Sequence, residues 1–83
     1  MNDTLIEIIA DFAVLMEFAD DSQISPETAA NALESMGWRL QKFDDTQRAE
    51  FKRAIRAVAE RHPVQAEREF LLQLPAAAGL FDD

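Results

Sequence analysis

Apolar residues recur along this chain at the three-to-four-residue step of an α-helix, and no stretch alternates with the period of two that marks a strand. At 100° per residue, Leu5, Ile8, Ile9, Phe12, Leu15, Met16 and Ala19 fall on one side of a first helix. Ala29, Leu33, Met36, Leu40 and Phe43 form a narrow stripe on a second helix. Phe51, Ala54, Ile55 and Val58, with His62 at the end, form the stripe of a third.

Boundary residues frame these stripes. Thr4 followed three residues later by Glu7 has the form of a capping box and predicts a helix over 4–19. Ser25-Pro26-Glu27 offers a hydroxyl cap, a proline tolerated at the first helical position and an acid at the positive helix end, predicting a helix over 26–42. Asp44, Asp45 and Thr46 offer caps for a helix over 46–62, which stops before Pro63. A shorter helix over 64–74 is expected to end at Pro75, leaving a tail over 75–83. The pattern predicts an all-α fold in a single domain: a small antiparallel three-helix bundle with a short fourth helix laid across it and a C-terminal tail.

Composition narrows the chemistry. The chain has 83 residues, of which 48% are hydrophobic, enough to fold but near the lower size limit for an adequate core. It has no Cys and only two Gly, which leaves no thiolate metal site, no disulfide and no glycine-rich phosphate loop. The N-terminus lacks the cationic start of a secretory signal, and the apolar run over 5–19 is too short and carries Glu7, Asp11 and Glu17. A cytoplasmic protein without a membrane role is therefore expected.

Charge is segregated. Residues 1–38 hold eight acids and no Lys or Arg, whereas 39–61 hold seven bases and four acids, within a net charge of −8. Asp3, Glu7 and Asp11 form an acidic row at i, i+4 and i+8, and Arg48, Lys52 and Arg56 form a basic row at the same spacing. The two rows face each other within one chain, or leave the acidic half free to dock a basic partner surface, or stand as a solvated face with no partner.

The first helix is apolar almost all round. Beyond its main stripe, Ile6, Ala10, Ala13 and Val14 make a second seam of smaller residues, and Phe18 lies on a third side. Either the fourth helix covers this seam or another protein does, and a symmetric homodimer is the common way to supply such a surface. Trp38 stands about 160° from Met36, away from the core stripe of its helix. It is expected to lie under the fourth helix (Phe70, Leu71, Leu74) or the tail (Leu80, Phe81), the alternative being a binding anchor. The neighbouring Gly37 is costly inside a helix unless a close helix contact offsets it. The Leu80-Phe81 pair before two acids is the one short-peptide feature of the tail.

Chemistry for catalysis or cofactor binding is scarce. His62 is the only imidazole, expected to meet a carbonyl at its helix end, so neither a metal site nor a nucleophile–base pair is built from it. Asp20-Asp21-Ser22-Gln23-Ile24-Ser25 lacks the glycine and ligand spacing of a calcium loop. No catalytic, cofactor or metal residues are assigned, and an enzyme is not expected. The basic third helix resembles the second element of a helix-turn-helix, but the acidity of the remainder opposes nucleic acid.

These features predict a small acidic protein–protein interaction module that masks a basic partner surface through Asp3, Glu7, Asp11, Asp20, Asp21 and Trp38. In size, acidity and helix content the chain resembles the bacterial immunity proteins that neutralise nuclease toxins, which implies an inhibitor without assigning residues. The alternative is a homo-oligomeric adaptor closed through Ile6, Ala10, Ala13, Val14 and Phe18 of the first helix. A weak nucleic-acid binder is the third reading.

Overall fold

Four helices start where the chain offers a suitable first residue. Asn2 Oδ1 accepts the Leu5 N–H at 3.1 Å and opens α1, Asp3–Phe18. The expected cap at Thr4 is therefore corrected: Asn2 takes the role two residues earlier and Thr4 sits in the first turn. Ser25 Oγ accepts the Thr28 N–H, Pro26 follows, and α2 spans Pro26–Leu40. Asp44 and Gln47 exchange side-chain to backbone bonds of 2.8 and 3.0 Å in a capping box for α3, Asp45–Glu60. Helix α4, Gln65–Ala77, starts after Val64 with no side-chain cap. The computed structural model describes residues 1–79; 80–83 lie outside the described residues, and with them the expectations placed on Leu80 and Phe81.

Two arginines close the helix ends that precede them. Arg48 reaches back from α3, with Nε donating to the Phe43 carbonyl at 3.0 Å and Nη2 to the Gln41 carbonyl at 2.9 Å. Arg68 of α4 donates from Nε and Nη2 to the carbonyl of His62, at 3.1 and 2.9 Å. Each supplies a cation where a helix end presents unpaired carbonyls. This corrects the role expected of His62. Its ring lies beside α4, with Nδ1 3.3 Å from Glu67 Oε1 and outside hydrogen-bond geometry.

Pro75 does not end α4 but sits buried inside it. A proline forfeits only the bond to the carbonyl four residues back, so the last turn still closes, with the Ala78 N–H on the Leu74 carbonyl at 2.9 Å. The helix stops at Ala77, two residues before Gly79, whose φ of +79° is the left-handed turn that favours glycine.

Phe51, Ile6, Ile55 and Leu71 are the largest fully buried side chains, joined in one cluster by Ala10, Ala13 and Ala59. Phe43 closes one end, edge-on to Phe51 at 5.9 Å. Helix α1 packs closely on each of the other three, and α3 packs closely on α4; among the described residues α2 comes that near only to α1. The fourth helix thus contributes Leu71 and Leu74 to the core itself. No polar side chain is fully buried among the described residues, and none of their helices is long and apolar enough to cross a membrane.

Candidate protein-interaction surface

Helix α1 presents the core with its smaller seam. Ile6, Ala10 and Ala13 are buried, while Leu5, Ile8, Phe12 and Leu15 are 43–57% exposed. This reverses the expected assignment of faces. A helix that three others approach needs small residues toward them, because side-chain size sets the distance between helix axes. Alanines at 10 and 13 meet that demand, and bulky residues on the same face would hold the neighbours apart.

The outward residues are not scattered. Positions 5, 8, 12 and 15 follow the alternating three- and four-residue step that lines one side of a helix, roughly 150° from the buried seam. Side chains of this size, about half exposed, leave on the order of 400 Å² of contiguous apolar surface, the size of the largest such patch on a typical monomer, which is often functional. Met16 and Ile9 border it, half-buried. Phe18 is 46% exposed and packs edge-on against Phe70 at 5.8 Å, so its ring belongs partly to the α1–α4 contact.

One acid borders this ridge: Asp11 lies three residues after Ile8 and four before Leu15, whereas Glu7 and Asp3 turn step by step away from the ridge toward α3. All three are exposed. Glu7 meets Arg61 at 3.3 Å, both side chains mostly in solvent, while Asp3 and Asp11 have no ion pair among the described residues. The acidic and basic rows do not neutralise each other as a set. Arg48 is committed to the carbonyls of Phe43 and Gln41, and Glu50 of α3 is taken by the N-terminal amine of Met1 at 2.9 Å. That amine's pKa is raised, first by the hydrogen bond to Glu50 and then by the charges of Glu50 and Asp3.

The other sequence-assigned residues sit elsewhere. Asp20 and Asp21 are exposed in the α1–α2 loop, where Asp20 Oδ1 accepts the Ser22 N–H at 3.0 Å. This bond, then one from the Ser22 side chain, holds the Asp20 carboxyl below the usual range. Trp38 is 76% exposed on α2, which corrects the expectation that α4 covers it: Leu71 and Leu74 are spent on the core and Phe70 on Phe18. Of the proposed oligomer seam, Ile6, Ala10 and Ala13 are inaccessible and Val14 is half-buried, leaving Phe18 as its one exposed member.

No family model, curated protein or solved structure matches this chain. The surface stands on its own geometry.

Sequence reasoning placed Leu5, Ile8, Phe12 and Leu15 in the core because they are the larger apolar residues. The signal for the opposite choice was present in Ala10 and Ala13, which suit close helix approach, and in Asp11, which belongs beside an open face.

Proposed function

We propose that this chain is a small cytoplasmic protein-interaction module that binds rather than catalyses. In its most concrete form it is an immunity-type inhibitor that covers a basic surface of its partner. The division of α1 carries this reading: one face is sealed in the core, and the other holds an open apolar ridge with the Asp11 carboxylate at its border. Protein interfaces have this anatomy of an apolar centre inside a polar rim. The ridge provides about half of the roughly 800 Å² that each partner contributes to a standard interface, so the polar surface around it must contribute the rest. The chain's net charge of −8 also draws a basic partner from a distance and speeds encounter.

The homo-oligomer alternative moves to the new face, where the helical spacing of Leu5, Ile8, Phe12 and Leu15 fits a helix of a second copy. Self-pairing there brings the Asp11 carboxylates of two chains to the edge of the contact with no α1 cation to offset them, and the charge therefore favours a basic partner.

The test compares three baits in native cytosol: the unaltered chain, Phe12→Asp, and Glu7→Lys with Asp11→Lys. A basic protein retained by the first and lost from both variants is the expected result, followed by purified binding kinetics in which the charge reversal slows association at low salt. Identical retention by all three baits removes the reading, and a monomer–dimer equilibrium abolished by Phe12→Asp in sedimentation transfers the ridge to the homo-oligomer.

A further inference from the structure

Helices α2 and α4 leave an open groove of about 390 Å³ between them, near the end of α1 remote from Asp3. Its walls are apolar, with Leu33 and Met36 on one side and Phe70 and Leu74 on the other. Gly37 and Ala78 also line it, and a Cβ at Gly37 would stand in ordinary contact with Ala78. Trp38 forms part of the lining while remaining 76% exposed. Glu17 from α1 and Glu34 from α2 add two exposed carboxylates, neither of which meets a cation among the described residues.

We propose that this groove is a second binding site, separate from the α1 ridge, and that it takes an extended peptide segment in which an apolar side chain is followed by arginine. Three observations select this ligand. The volume lies at the small end of ligand sites, suited to one or two side chains and too small for a helix. The carboxylates of Glu17 and Glu34, unpaired among the described residues, favour a cation over an anion, and a guanidinium meets a carboxylate with paired hydrogen bonds. The open indole of Trp38 adds a flat face on which a guanidinium stacks. The chain's own Leu80-Phe81-Asp82-Asp83 carries the wrong sign for this rim. Glu17 stands on the buried-seam side of α1, so the groove and the ridge open on different sides of that helix.

Trp38 is the only tryptophan, and its emission therefore reports directly on the groove. The experiment titrates the full chain with the peptide Ac-Ser-Leu-Phe-Arg-Arg-Ser-NH2 and, as control, with the same peptide carrying Glu in place of Arg. The expected result is a saturable change in emission with the basic peptide and none with the acidic one. Glu34→Lys is expected to weaken binding by about tenfold, with an unchanged helical circular dichroism signal. Phe12→Asp, on the other face of α1, is expected to leave the affinity unchanged, which separates this site from the ridge. No emission change with the basic peptide, an equal response to the acidic one, full affinity in Glu34→Lys, or loss of binding in Phe12→Asp each overturns the assignment.

Discussion

Phe12 and Ala13 are neighbours on α1 that face opposite environments: the Phe12 ring is 43% exposed, whereas Ala13 is wholly buried. The larger apolar residue stands outside and the smaller inside because α1 meets three helices on its inner face. Substitutions at the two positions should therefore separate sharply. Phe12→Asp removes a half-exposed ring and should cost at most about 1 kcal/mol, close to ordinary surface substitutions. Ala13→Leu forces extra volume into a packed seam and should cost about 1–3 kcal/mol. Urea denaturation of the two variants measures the contrast, and equal losses would mean that the faces of α1 are wrongly distinguished.

Gly37→Ala should stabilise the protein. A Cβ built at Gly37 would lie 3.8 Å from the Cβ of Ala78, an ordinary van der Waals contact, so no close approach requires glycine there. Alanine is favoured over glycine inside a helix by about 0.8–1.0 kcal/mol, and a gain of this size raises the melting midpoint of so small a domain by roughly 4–8 °C. A lower midpoint would show that the contact between Gly37 and Ala78 tolerates no methyl group.

Arg68→Met keeps much of the apolar stem and removes both bonds to the His62 carbonyl. Hydrogen bonds from a charged donor contribute about 1.5–3 kcal/mol, so a loss near the lower end of that range is expected for this part-buried pair. Amide exchange should rise first at the α3–α4 joint, since the clamp fixes that turn. Uniform destabilisation with no local opening would assign the cost to packing instead.

Asp20 supplies a pH-dependent test. Ser22 lowers its carboxyl pKa, first through its backbone N–H and then through its side chain. Because the folded value lies below the unfolded one, the associated stabilisation is present above the ordinary carboxylate range and is lost as pH falls through the lowered value. Carbon NMR should find Asp20 titrating below its value in the unfolded chain. Ser22→Ala, which keeps the backbone bond, should return it part of the way, and no movement would remove the side chain from the account.

Helix positions were readable in the sequence wherever local chemistry decides them. Ser25-Pro26 and Asp44 each mark a helix start, and the stripes containing Leu40 on α2 and Phe51, Ile55 and Val58 on α3 are the residues that face inward. What escaped local reading depends on long-range partners. Arg48 and Arg68 look like surface charges until the turns they close are brought beside them. The inward face of α1 is fixed by how many helices press on it, a number no single segment contains. Trp38 was placed under cover on the general rarity of exposed tryptophan, but α4 had already committed its large side chains elsewhere.

The two-sided character of α1 has an evolutionary consequence. Positions 6, 10 and 13 answer to the fold and must stay compact in any descendant that keeps these four helices. Positions 5, 8, 12 and 15 carry no such obligation and are free to drift in step with whatever they touch. Within a single stretch of 16 residues, the outer face can thus change without rebuilding the scaffold.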